Sequence, residues 1–199
     1  LQHLKGVEKM IKGTIQNVSF DEEEHKYYYE GRELNGVTSA IAKRLGKTFP
    51  KNIQVELACS YGSQVHKEIE RWIEEGKEPS TDNGKWLKEQ LLRLRKDLGI
   101  WNYSKYNAEV RVSDFENTAS NVDIVLHTPQ GVYLADIKTG QFDRQYCTLQ
   151  LNAYRLMYEN CYDEEVLGLF VLNTKAKRVF RIFACEDKGI LDLLRGNTK

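Results

Sequence analysis

Apolar positions recur along the chain with two periods, and the switching between them sets the order of elements. Residues 1–12 carry a short helical pattern, and residues 14–20 and 25–30 flank an acidic turn and end at Gly31, which predicts a β-hairpin in which Tyr27, Tyr28 and Tyr29 pack as strand residues. Apolar residues return at helical spacing over residues 37–45. Pro50 then stands where a longer helix begins, with Val55, Ala58, Val65, Ile69, Trp72 and Ile73 as its apolar stripe and Gly76 and Pro79 as its stop. A third helix over residues 84–98 places Leu87, Leu91, Leu94 and Leu98 on one side, with Lys85, Lys88, Arg95 and Lys96 around the rest as a solvated or phosphate-contacting face. After it come strands at residues 106–112, 119–127 and 131–138, a helix at 144–158, strands at 166–172 and 178–184, and a short helical tail. This is the pattern of an α/β fold: a central mixed sheet flanked by helices, with an N-terminal hairpin and helical additions. No repeat or low-complexity linker divides it, so one domain is expected over residues 1–199, with 1–50 as elaboration and 51–185 as the core.

The informative stretch is the pair of strands around Thr128-Pro129-Gln130-Gly131. Proline second and glycine fourth suit a type I turn that sets Thr128 opposite Gly131. Carrying that pairing inward five steps brings Asp123 opposite Asp136 on one face, with Cβ atoms about 4.5–5.5 Å apart. Like charges at that separation destabilise a sheet, so two acids inside apolar strands call for a cation. Lys138, two residues beyond Asp136, emerges on the same face. Hard oxygen ligands select magnesium or manganese over zinc, and such ions take phosphate oxygens into their shell. A lysine beside them can orient or deprotonate a water and offset charge developing on phosphorus. The acid-x-Lys pattern alone carries nothing, because Glu24-His25-Lys26, Glu75-Gly76-Lys77 and Glu186-Asp187-Lys188 share it in polar turns or helix ends. A surface hairpin whose lysine neutralises two aspartates is the competing reading.

Charge and cysteine usage narrow the chemistry. The 29 lysines and arginines equal the 29 aspartates and glutamates, so any nucleic-acid binding must come from local patches. Cys59, Cys147, Cys161 and Cys185 lie far apart without CxxC spacing, which argues against a zinc ribbon, an iron–sulfur cluster or a redox dithiol and for reduced, buried thiols. No apolar run approaches membrane-spanning length and nothing at the start reads as a signal peptide. An intracellular protein is expected, cytoplasmic in a bacterium or phage and organellar in a eukaryote.

Taken in order, several short segments resemble the RecB-like branch of the PD-(D/E)XK nuclease superfamily, including its phage and mitochondrial single-strand exonucleases. Gly36-Val37-Thr38-Ser39 is similar to an S-V-T-x segment near the start of many members, and Gly62 to Glu70 resembles the helical G-x-x-V-H-x-x-I-E element whose histidine, here His66, contributes to metal binding. Glu109 resembles the acid of the first core strand, Asp123 that of the second, Asp136-Ile137-Lys138-Thr139-Gly140 the D-x-K-T-G segment, and Gln150 to Tyr154 the Q-x-x-x-Y element. The resemblance spans roughly residues 20–180 and is carried by combined spacing rather than by any one piece.

It implies a restriction-endonuclease-like core and a magnesium- or manganese-dependent deoxyribonuclease, first of all an exonuclease on single-stranded ends in repair, recombination or phage DNA processing. In that reading His66, Asp123, Asp136 and the Ile137 carbonyl hold one ion, and Asp123 and Glu109 bridge a second. Lys138 and the ion activate water to leave a 5′-phosphate. Glu70 supports, Thr139 lies beside the lysine, and Gln150 and Tyr154 hold Lys138, touch the DNA backbone or make a structural hydrogen bond. Three departures stand out: no glycine precedes Asp123 in Asn121-Val122-Asp123, the third acid is Asp136 rather than the longer Glu, and the cysteine arrangement of the branch's iron–sulfur members is missing, so no cluster is expected. An endonuclease on the same core, or a non-catalytic DNA-binding or scaffold module, are the alternatives.

Overall fold

In the computed structural model, residues 10, 12–47, 53–100, 105–185 and 188–195 are described, residues 53–56 and 191 by their backbone alone. Of the helix expected over residues 1–12 only residues 10 and 12 are described, neither of them helical, and the helix start at Pro50 falls outside the described residues. The chain runs β1 (Val18–Asp21), β2 (Lys26–Tyr29), β3 (Arg32–Gly36), α1 (Val37–Arg44), α2 (Ile53–Glu75), α3 (Asp82–Asp97), β4 (Lys105–Ser113), β5 (Thr118–Thr128), β6 (Gly131–Lys138), α4 (Arg144–Tyr162), β7 (Val166–Asn173), β8 (Arg178–Ile182) and α5 (Lys188–Leu194). The first predicted strand is shorter than expected, because Ile15–Asn17 form a 3-10 turn before β1. The hairpin also gains a third strand, β3, which the sequence pattern does not separate from the turn before α1.

One mixed sheet of eight strands carries the chain in the order β1-β2-β3-β5-β6-β7-β8, with β4 on β5. Antiparallel pairs join β4 to β5, β5 to β6 and β7 to β8, while β6 and β7 run parallel across the α4 crossover. The expected register holds from Thr128 opposite Gly131 inward to Ile124 opposite Ala135. Helices cover both faces. Leu151, Met157 and Tyr158 of α4 pack with Val122, Leu134 and Val171 on one side, and Val65, Ile69, Leu87 and Leu91 of α2 and α3 pack with Ile124, Ala135, Ile137 and Leu172 on the other. Buried on both faces, β6 and β7 are near-continuous apolar runs. Asp136 interrupts one of them at 1 % exposure.

Local chemistry fixes the helices that frame the site. Asp143 caps α4 by accepting the Tyr146 N–H at 3.0 Å, and Asp163 ends it in the left-handed conformation. Glu68 of α2 accepts the Thr81 hydroxyl at 2.6 Å, while Thr81 caps α3 by accepting the Gly84 N–H at 3.0 Å, which ties the two helices together. The α2 stripe is shorter than predicted. Val65 and Ile69 are buried and Trp72 and Ile73 half-buried, but Ala58 is exposed and the Val55 side chain lies outside the described residues. No helix among the described residues is long and apolar enough to cross a membrane. The thiols also depart from expectation, since Cys147 is buried, Cys161 and Cys185 are half-buried and Cys59 is exposed.

Candidate metal centre

Asp123 is the residue of β5 that takes no strand partner. Every other position from Thr118 to Thr128 pairs with β3, β4 or β6, and the ladders on either side of Asp123 hold their register. The directly opposed Asp123–Asp136 pair expected from the hairpin is therefore not formed, because β5 and β6 diverge just before it. Instead the Asp123 carboxylate reaches across the opening, its Oδ2 accepting the Ile137 N–H at 2.6 Å. Ile137 thus meets the site through its amide.

On the other side of Asp123, β4 is distorted at the matching position. Ala108 and Val110 pair normally with Ile124 and Val122, but Glu109 between them has φ +49°. A non-glycine residue held there in mid-strand costs roughly 1–3 kcal/mol, which the surrounding ladder must impose. The result brings the Glu109 carboxylate to Asp123 and to His66 of α2: one donor atom from each of the three lies within 4.8 Å of the others. His66 Nδ1 is 3.6 Å from Asp123 Oδ2. Octahedral magnesium, with bonds of about 2.0–2.1 Å, sets its donors about 2.9 Å apart when cis and about 4.2 Å when trans, so the three side chains would draw closer together to share one ion. Two carboxylates and an imidazole are a donor set that fits magnesium or manganese.

Asp136 stands beside this trio but faces Lys138. Lys138 Nζ donates to Oδ1 at 3.0 Å and lies 2.7 Å from Oδ2, which is buried and accepts no hydrogen bond. Burial and the charges of Asp123, Glu70 and Asp136 push the Glu109 carboxyl up to about 8, against a hydrogen bond from Asn121. Burial likewise carries Asp136 up to about 6, with Lys138 opposing and Asp123 adding to the rise. For Lys138, burial favours the neutral amine, but Asp136 and Asp123 outweigh it and hold its pKa above the usual lysine value.

These shifts give a stability prediction for the metal-free protein. A carboxyl whose folded pKa is raised binds its proton more tightly in the native state, so stability falls as pH rises from the unfolded value toward the folded one. For Glu109 that window runs from 4.5 to about 8 and for Asp136 from 3.8 to about 6. The melting temperature in EDTA is expected to fall between pH 5 and pH 8, and Glu109→Gln to flatten the fall. A wild-type slope retained by that variant would place the destabilising charge elsewhere.

The remaining predicted residues divide. Glu70 is half-buried on α2 and acts on Glu109 by charge. Thr139 lies over Gly62 of α2: a Cβ on that glycine would lie 3.1 Å from its Oγ1, so the glycine lets α2 approach the end of β6. Gln150 and Tyr154 do not hold Lys138 and are too buried, at 3 % and 2 %, to meet DNA. Gln150 Nε2 donates to Tyr154 OH at 2.8 Å, and the Ser120 hydroxyl lies 3.2 Å from the same oxygen. They form an internal polar layer behind the carboxylates, which is the structural one of the three roles expected.

The residue that does meet the lysine is Tyr146, one turn before Gln150. Lys138 Nζ lies 5.7 Å from the centre of its ring and Lys47 Nζ 5.6 Å. Lys47 in turn pairs with Asp143, the α4 cap. The signal in the sequence is the spacing Tyr146, Gln150, Tyr154, which lays three hydrogen-bonding side chains along one helix face.

No protein-family model matches the chain, and no curated protein matches it. Among solved structures, one described as "Crystal structure of SSO0001" is similar at 13 % identity and a TM-score of 0.35, the match covering 81 % of this chain and 82 % of that one.

Proposed function

We propose that this chain is a divalent-metal-dependent deoxyribonuclease with a PD-(D/E)XK core of the RecB-like branch, acting as an exonuclease on single-stranded ends. The observation that carries the reading is the convergence of His66, Glu109 and Asp123 on one donor cluster, at the point where β5 and β6 diverge, with the Asp136–Lys138 pair at its edge. A surface hairpin neutralised by lysine does not account for it. Asp136 is 1 % exposed, and Glu109 holds a left-handed backbone that serves no ladder. A scaffold module gains nothing from burying these repelling carboxylates.

His66, Glu109 and Asp123 would hold the ion, with the Asp136 carboxylate beside them paired to Lys138. Bound there, a divalent ion supplies Lewis acidity toward a phosphoryl oxygen and lowers the pKa of water. The chain's own groups then have defined roles. The Ile137 amide fixes Asp123 Oδ2, Asp136 fixes the Lys138 ammonium, and that ammonium stands where negative charge develops on a scissile phosphate.

The test is incubation of the protein with end-labelled linear and closed circular DNA, each single- and double-stranded, in magnesium, in manganese and in EDTA. Loss of label from linear single strands in metal alone is the expected result. Cutting of circles would move the assignment to an endonuclease on the same core, and full activity in EDTA, or none in any metal, would overturn the reading.

A further inference from the structure

We propose that Tyr146 is the positioning residue for Lys138: its ring face and Asp136 together fix where the ammonium stands. The inference rests on the nuclease reading for its kinetic consequence but not for the contact itself. A lysine side chain surrenders up to about 2 kcal/mol of rotamer entropy when fixed, and one carboxylate two residues away on the same strand leaves its Nζ free to swing about that single contact. Tyr146 supplies a second, from a different element. The ring quadrupole attracts the ammonium from 5.7 Å, within cation–π range.

The ring is itself held from several directions, as a positioning surface must be. Its backbone N–H is bound by the Asp143 cap at 3.0 Å. The Thr38 side chain of α1 faces its hydroxyl, and the residue is half-buried. Lys47 lies over the same ring while paired to Asp143. So α1, the α4 cap and β6 meet at one aromatic ring, and the lysine they fix keeps 25 % of its side chain exposed. A group fixed by two contacts and partly open on the remaining side is suited to meet a phosphate. Gln150 and Tyr154 lie deeper along the helix face and bind one another instead.

Three variants test the assignment: Tyr146→Phe, which keeps the ring and loses the hydroxyl; Tyr146→Leu, which keeps apolar volume and loses the ring; and Tyr146→Leu in a Lys138→Ala background. Single-turnover cleavage of single-stranded DNA is expected to fall roughly three- to thirtyfold in Tyr146→Leu, the span of a cation–π contact, with magnesium affinity unchanged. Tyr146→Phe is expected to restore most of the rate. In the Lys138→Ala background the leucine substitution is expected to cost nothing further, since its effect passes through the lysine. A Tyr146→Leu enzyme as fast as wild type, a phenylalanine variant as slow as the leucine one, or a full additional loss in the Lys138→Ala background would overturn it. The contact is also readable without activity. Proton NMR should show the Lys138 ε-methylene signal, assigned by its disappearance in Lys138→Ala, displaced upfield in wild type and Tyr146→Phe but not in Tyr146→Leu. A protein that cleaves nothing yet shows this shift refutes the nuclease reading and keeps the contact, whereas a missing shift refutes the contact whatever the activity.

Discussion

Lys138→Ala is expected to cut single-stranded DNA at least about a hundredfold more slowly than wild type, the lower end for loss of a positioned acid–base or electrostatic group. Metal binding should survive. The lysine pairs with Asp136, whereas the three converging donors belong to His66, Glu109 and Asp123. Stability is the second readout. Removing one partner of a buried ion pair costs roughly 3–5 kcal/mol, against about 0–1 kcal/mol for an exposed one. Here the Asp136 side chain is 2 % exposed and that of Lys138 25 %, so the loss should exceed the exposed range. Because Asp136 sits near pKa 6 even with the lysine present, much of that cost is escaped by protonation below pH 6 and felt above it. Calorimetric titration with magnesium, thermal melts at pH 5.5 and 8, and single-turnover cleavage together decide the point. Wild-type cleavage by the alanine variant would refute the role given to the lysine, and a loss of metal affinity equal to the loss of rate would move Lys138 from the chemistry to the metal shell.

How much of this is legible in the sequence depends on whether a feature is local. The β5–β6 hairpin is legible because turn chemistry fixes register: Pro129 and Gly131 set Thr128 against Gly131, and the pairing then runs as far as Ile124 and Ala135. Arithmetic carried one step further puts Asp123 opposite Asp136 and fails, because ladders are also shaped by their other neighbours. β5 loses its β6 partner at that step, where Glu109 of the neighbouring β4 is left-handed, and no pattern in Ala108-Glu109-Val110 announces a positive φ. The α2 stripe is legible from Val65 onward, where periodicity coincides with packing on β4, but periodicity at Ala58 cannot say where a long helix leaves the sheet. Helix position does predict that His66 and Glu70 share a face: His66 supplies a donor to the cluster, while Glu70 acts on Glu109 by charge. Tyr146 escapes the sequence for a different reason. A tyrosine in the first turn of an amphipathic helix reads as core, and its contact with Lys138 depends on the α4 crossover returning over the end of β6, which is a tertiary fact.

Asp123→Asn separates the metal from the fold most directly. Asparagine keeps an oxygen that can accept the Ile137 N–H, so the bridge across the diverging strands can persist while the charge is lost. Loss of a direct ligand should lower magnesium affinity by at least the roughly 10–100-fold typical of perturbing a ligand's supporting partner, and cleavage should fall with it. Stability of the metal-free protein should move the other way, because Asp123 is the largest charge acting on Glu109 and also raises Asp136. The size of the gain depends on pH. At pH 5 both of those carboxyls are largely protonated, little repulsion remains to relieve, and the variant and wild type should melt together. At pH 8 and above, where Asp136 is ionised and Glu109 is half-ionised or more, the asparagine variant should melt higher in EDTA and lose that advantage once magnesium is added, since only wild type gains from the ion. An asparagine variant that binds magnesium like wild type would remove Asp123 from the metal shell. One that melts lower than wild type in EDTA at pH 8 would show that its charge is structural, held by His66 and the Ile137 amide rather than awaiting a cation.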